Sequence, residues 1–232
     1  MKIGILQTGN ALQQLQQRHG DFDRLFQDLL AEHGFTFETF SVNDGVFPES
    51  VQACDGWLIT GSRHSSYEGL DWMVRLETFL RAAYEAEIPI VGICFGHQIL
   101  AQALGGQVER FPGGWSIGPQ EYLFDGISDP VVINAWHQDQ VTVLPAGSTR
   151  VATSPFCENA ALVYGDRAFT IQAHPELHNA FTSDLIEARR DILAPELVAE
   201  AEKRLKTHTP SPVVVEQMAA FFKNRALPAG MR

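Results

Sequence analysis

Four short runs in this chain are apolar on both faces of an extended backbone: residues 2–7 (KIGILQ), 56–60 (GWLIT), 88–93 (IPIVGI) and 168–172 (AFTIQ). A strand apolar on both faces has to be covered on both faces, and that condition is met by a parallel sheet lying between layers of helix. The segments between the runs fit. Residues 21–33 (DFDRLFQDLLAEH) place Phe22, Leu25, Phe26, Leu29 and Leu30 at helical spacing, with Asp21 as N-cap and Gly34 as stop. Residues 35–42 alternate apolar and polar as a strand does. Residues 71–86 and 97–104 read as helices, the second stopped by Gly105 and Gly106.

Strands alternating with helices at this spacing, joined by right-handed crossovers, predict a doubly wound, flavodoxin-like α/β fold: three layers, with an open and mostly parallel sheet in the middle. Residues 107–163 hold short apolar runs separated by Pro, Gly and Asp, which predict a section of shorter strands, some of them antiparallel. After His174 the pattern changes to helices over 182–206 and 214–224, separated by a THTPSP loop. We therefore expect one domain over residues 1–232, with 177–232 as a helical C-terminal extension serving either as a cover or as an oligomer contact.

Composition narrows the partners. Hydrophobic residues make up 45% of the 232 and charged residues 19%, enough apolar material for a sizeable core. With 28 acidic against 17 basic residues the formal charge is −11, a field that repels phosphate backbones and disfavours nucleic acid. The three cysteines, at 54, 94 and 157, are odd in number and contain no CxxC pair, which argues against a disulfide framework or a cysteine zinc site. The N-terminus is too short in apolar residues for a secretion signal, and no stretch approaches the roughly 20 needed to span a bilayer. The expectation is a cytoplasmic protein, away from membranes, with free thiols.

Two motifs carry chemistry. In residues 89–98 (PIVGICFGHQ) an apolar strand runs through Gly92 to Cys94 and Gly96, and a helix follows at once. A nucleophile on such a turn projects from the backbone, its neighbours two residues away must be small, and the helix N-terminus offers N–H groups to a thiolate or an oxyanion. Alone, a Cys between glycines is more often a packed small residue. The second motif is 172–176 (QAHPE), which carries His174 off the end of the last apolar run with Glu176 two residues on. A carboxylate at that spacing can fix the imidazole tautomer and leave the other nitrogen to take a thiol proton.

Together, GICFGHQ followed by a Gly-Gly-ended helix, with QAHPE downstream, resembles the class I, triad-type glutamine amidotransferases. The likeness covers roughly residues 1–176 and is closest to small stand-alone members related to the glutaminase domain of GMP synthase. The resemblance implies that Cys94 attacks the side-chain amide of glutamine, forming a γ-glutamyl thioester and ammonia, with His174 as base then acid and Glu176 orienting it. It implies an oxyanion hole from the backbone N–H groups of Ser62 and Phe95, in a loop where Gly61-Ser62-Arg63 departs from the common Gly-Gly-Pro pattern. It also implies substrate binding by Gly61, by Gln98 and by the backbone of Gln138 and Asp139.

No cofactor is implied, and the eight histidines lack HxH or HExxH spacing, so a metal shared by His97, His137 and His174 is a poor reading. Cys54 and Cys157 read as bystanders, and Trp115 as either a rim residue or a loop anchor. No phosphate-binding G-x-x-x-x-G-K-[ST] loop is present, so ammonia would pass to a separate acceptor subunit or be released. A γ-glutamyl peptide or amide is the alternative substrate, differing only in the leaving amine. A binding module with a dead site would not need Cys94, His174 and Glu176 all intact. The oligomeric state is left open.

Overall fold

The computed structural model describes residues 1–227. The first half of the chain forms β1 (Lys2–Gln7), α1 (Gln13–His19), α2 (Phe22–Leu29), β2 (Thr36–Ser41), β3 (Gly56–Ile59), α3 (Asp71–Glu85), β4 (Ile90–Ile93) and α4 (Phe95–Ala103). A run of strands follows: β5 (Gln107–Arg110), β6 (Ser116–Phe124), β7 (Val131–His137), β8 (Asp139–Val143), β9 (Thr149–Thr153), β10 (Ala161–Tyr164) and β11 (Ala168–Ile171). Three helices close the chain: α5 (Asn179–Ala188), α6 (Pro195–Thr207) and α7 (Val213–Asn224).

Nine strands make one sheet in the order β2-β1-β3-β4-β11-β10-β9-β6-β7. The first five are parallel and the other four add on antiparallel, while β5 and β8 form a separate ribbon. The four apolar runs became β1, β3, β4 and β11, the last three with every residue buried. Their alternate side chains feed two cores. Leu58, Val91 and Ile171 point to the face covered by α2 and α7, and Trp57, Ile59 and Ile90 to the face covered by α3 and α4. The expected three-layer α/β fold is the one observed. Helix α7 belongs to the body of it, with Val214, Met218 and Phe221 fully buried against the sheet. Residues 228–232 of the expected C-terminal extension lie outside the described residues.

Two local expectations are corrected, and one helix is additional to those expected. The helix expected over 182–206 is broken: α5 ends at Ala188, and Pro195 opens α6 at its first position, which forces Ala194 to be extended (φ −65°, ψ 134°). The helix expected from residue 97 starts at Phe95, directly after the thiol. Helix α1 was not legible because QQLQQRH contains one apolar residue, Leu15, and so has no apolar period. No helix among the described residues is long and apolar enough to cross a membrane.

Candidate active site

Because β3, β4 and β11 are neighbours in the sheet, the segments leaving their carboxyl ends meet in space, and that is where open parallel sheets build sites. Three of the sequence signals lie on those segments: Gly61-Ser62 after β3, Cys94 after β4, and His174 after β11.

Cys94 has φ +52° and ψ −102°, a conformation that costs a non-glycine residue on the order of 1–3 kcal/mol and persists only where packing enforces it. The two glycines allow that packing. A Cβ on Gly92 would lie 2.6 Å from the Gly96 carbonyl oxygen, and one on Gly96 would lie 2.5 Å from that of Ile59. Any larger residue would push α4 off the sheet and unmake the turn. Helix α4 starts at the next residue, so its first N–H groups, which have no partner within the helix, lie beside the sulfur. Cys94 is 6% exposed, with Sγ 3.9 Å from the Trp136 carbonyl oxygen.

His174 is fixed from two sides. Its backbone N–H donates to the Asn134 carbonyl at 2.8 Å, so the β6–β7 ribbon folds back over the end of β11. Its Nδ1 lies 2.6 Å from Glu176 Oε1, within a carboxylate whose side chain is wholly buried. Burial by itself would lower the imidazole pKa. The Glu176 carboxylate, and then the charge of the Cys94 sulfur, outweigh burial and hold it well above the ordinary value. Oε2 of Glu176 finds no hydrogen-bond partner among the described residues, so the imidazolium is the main compensation for this buried charge.

His97 and His137 behave differently. Burial, and then the charge at His174, push His137 down to about 3, and burial pushes His97 to about 3. Both are neutral rings. His97 bonds Thr170 of β11 at 2.8 Å and is part of the α4–sheet contact. No group of three His, Cys, Asp or Glu side chains that could hold a metal occurs among the described residues.

The 60s loop presses against the reacting groups. A Cβ on Gly61 would fall 2.9 Å from His174 Cε1 and 3.8 Å from the Cys94 Cβ. Ser62 gives its departure from a Gly-Gly-Pro pattern a structural use: its hydroxyl donates to the Thr8 carbonyl at 2.8 Å and accepts from the His64 N–H at 3.2 Å. The loop is thereby tied to the end of β1. Its far end is tied to residue 139, where the Asp139 carboxylate accepts from Ser65 Oγ at 2.5 Å and from the Tyr67 hydroxyl at 3.3 Å.

A cavity of about 340 Å³ opens at the sulfur, lined by Cys94, Ser62, Gln98, His137, Gln138 and Asp139, with Trp115 at its side. Trp115 is therefore a rim residue, packed on Trp136 with the rings 5.8 Å apart. The Gln98 amide NH₂ donates to the Asp139 carbonyl (2.9 Å) and to Gln172 Oε1 (3.1 Å), so its donors hold the wall together and its oxygen is left as the acceptor. The Gln138 Oε1 is buried with no partner among the described residues. A second cavity of about 450 Å³ adjoins the first, lined by His174 and Gly61 and reaching α1 and α5. Ser62, Arg63, His64, Trp136 and Arg189 line both. Cys94, His174, Gly61, Ser62, Gln98, Gln138 and Asp139 thus all line one or other of these adjoining cavities, whereas Cys54 and Cys157 are buried in the two main cores and line neither. Arg189 and the α1 wall were missed, and a helix break ahead of Pro195 was the signal available for Arg189.

A thiol on a strained turn, an imidazole raised by a buried carboxylate and adjoining helix N–H groups can attack a carbonyl carbon and protonate the departing group. The family model for class-I glutamine amidotransferases matches residues 20–187. Gamma-glutamyl peptidase 3 from Arabidopsis thaliana is 26% identical over 225 residues, covering 90% of each chain. A subunit of the glutamine-hydrolyzing GMP synthase from Archaeoglobus fulgidus is 31% identical over 169 residues, covering 70% of this chain and 87% of that one. Among solved structures, a glutamine amidotransferase from Thermotoga maritima superposes with a TM-score of 0.71 at 23% identity, covering 97% of this chain and 96% of that one.

Proposed function

Since the chain belongs to the class-I glutamine amidotransferase family, we propose that it hydrolyses a γ-glutamyl amide bond through a covalent thioester on Cys94. The observation that carries this reading is the Cys94–His174–Glu176 array, with its 2.6 Å bond inside a wholly buried carboxylate. Glutamine is the smallest such substrate.

In this reading the γ-glutamyl group lies in the cavity at the sulfur. The Gln98 oxygen and the backbone of Gln138 and Asp139 hold its α-amino and α-carboxylate end. The Cys94 thiolate attacks the amide carbon, and the oxygen takes the electron pair while facing the Ser62 and Phe95 N–H groups. The carbon–nitrogen bond then breaks as His174 gives its proton to the amine, leaving the thioester. Water attacks next, His174 takes its proton, and glutamate departs as the sulfur is restored. Glu176 keeps Nδ1 protonated throughout, so that Nε2 is the nitrogen that exchanges protons with the reactants.

A γ-glutamyl peptide as substrate is favoured by one specific observation, the 450 Å³ cavity on the His174 side, which ammonia as leaving group does not require. Transfer of ammonia to a separate acceptor protein is the further reading suggested by the GMP synthase relative. The test is mass spectrometry after exposure to a glutamine-mimicking diazoketone. One adduct on Cys94, blocked by glutamine and absent from Cys94→Ala, is expected. An unlabelled Cys94 in a folded protein would refute the reading.

A further inference from the structure

The two cavities divide the catalytic groups between them: Cys94 lines the smaller one and His174 the larger. In a thioester mechanism the imidazole side is where the departing amine receives its proton, so the larger cavity stands where the leaving group emerges. Its far wall is apolar, made of Leu12 and Leu15 at α1, Phe22 of α2 and Phe181 of α5. These residues belong to a small hydrophobic cluster of their own, outside the two main cores.

Its rim is cationic. Arg63 and Arg189 line it, and Asp44, which is exposed, is the one acid among its lining residues. Arg189 is half-buried, and its guanidinium forms no ion pair or hydrogen bond among the described residues. Its neighbour Arg190 shows the ordinary outcome on this surface, pairing with Glu187 at 2.8 Å and Glu202 at 2.5 Å. A half-buried guanidinium facing a cavity, with no acid to satisfy it, is suited to a planar anion from outside.

Resting on the γ-glutamyl thioester reading above, we infer that this cavity is the leaving-amine subsite and takes an amino acid or short peptide that has an apolar side chain and a free carboxylate, the carboxylate being read by Arg189. Arg63, which is exposed, adds a weaker and more screened attraction. The apolar side chain lies against Leu12 and Phe22, the partly exposed residues of a wall that the buried Leu15 and Phe181 complete. Arg189 is a specificity-determining residue in this assignment, acting on the half of the substrate that leaves first.

The experiment compares kcat/KM of the wild type and of Arg189→Ala on γ-glutamyl-phenylalanine, γ-glutamyl-phenylalaninamide and glutamine. The two dipeptides differ only in whether the leaving amine carries a carboxylate. The wild type is expected to favour the acid over the amide by about tenfold or more, the effect of one charge-assisted hydrogen bond. In Arg189→Ala that preference collapses to within about twofold, and Arg63→Ala reduces it by less. Equal turnover of acid and amide by the wild type overturns the assignment without needing any variant. So does a fall of equal size on both dipeptides in Arg189→Ala, the result expected if Arg189 instead held the γ-glutamyl α-carboxylate or only supported the fold. Turnover of glutamine but of neither dipeptide overturns it too, leaving the thioester reading intact. No turnover of any γ-glutamyl compound refutes that reading as well.

Discussion

The sulfur side of the site and the imidazole side are built from different parts of the molecule. Around Cys94 the walls are β3, β4 and the start of α4, elements buried in the main cores and held in contact by glycines with no room for a Cβ. Beyond His174 the walls are α1, α5 and their loops, standing on a small separate cluster around Leu15 and Phe181. One side cannot change without disturbing the sheet, and the other can be rebuilt at little cost to it. On the reading proposed above, bond cleavage belongs to the core-built side and choice of leaving amine to the rim.

The hardest test of that division is Cys94→Ala. Activity on every γ-glutamyl substrate should fall at least about ten-thousandfold, and by the same factor for glutamine as for a dipeptide. Steady-state kinetics on both substrates checks it, and an unequal loss would show that the rim takes part in the chemical step.

Glu176→Gln comes next. It removes the charge that holds the His174 pKa up and keeps the shape, so kcat should fall by roughly 10²–10⁴-fold. It should also change how stability depends on pH. A group whose folded pKa is raised contributes stability that is fully present below its unfolded pKa, near 6.5 for His, and lost as pH rises through the folded value. The wild type should therefore lose stability as pH climbs above about 6.5, and Glu176→Gln should lose less over the same window. Thermal melts from neutral to alkaline pH decide this, and parallel curves would mean that the pair is not the imidazolium–carboxylate proposed.

How much was legible in the sequence follows the same division. β3, β4 and β11 announce themselves because residues buried on both faces must be apolar, and the turn at Cys94 because close backbone contact requires Gly92 and Gly96. His174 and Glu176 were legible because a strand delivers them two residues apart. The rim left no such marks. In α1 a single buried leucine suffices to seat a glutamine-rich helix, and Arg189 became a lining residue only through the helix break before Pro195, which the apolar pattern of 182–206 conceals. The use of Ser62 was hidden too, since its partner at Thr8 is 54 positions away in the chain.

On the rim, Leu15→Ala should cost about 2 kcal/mol, near the low end for a buried leucine because one side of the cluster faces a cavity that water can enter. Its kinetic signature should be uneven, with the loss on γ-glutamyl-phenylalanine several-fold larger than on glutamine, whose leaving group never reaches that wall. A denaturant melt with the two kcat/KM values tests both halves. An equal loss on the two substrates would erase the distinction between core and rim.

The smallest effect is expected at Ser62, where the two regions touch. If Ser62 serves through its backbone N–H, removing the hydroxyl leaves the oxyanion donor in place and takes away the bonds to Thr8 and His64. Ser62→Ala should then lose about 1 kcal/mol of stability and only a few-fold in kcat, far less than the 10²–10³-fold that follows loss of an oxyanion donor. Ser62→Pro, which deletes the N–H, should incur that larger loss even where the protein still folds and binds the diazoketone's γ-glutamyl mimic. A hydroxyl deletion as costly as the proline change would move the oxyanion donor from the backbone to the side chain. The loop after β3 would then belong with the rim, and not with the core-built half of the site.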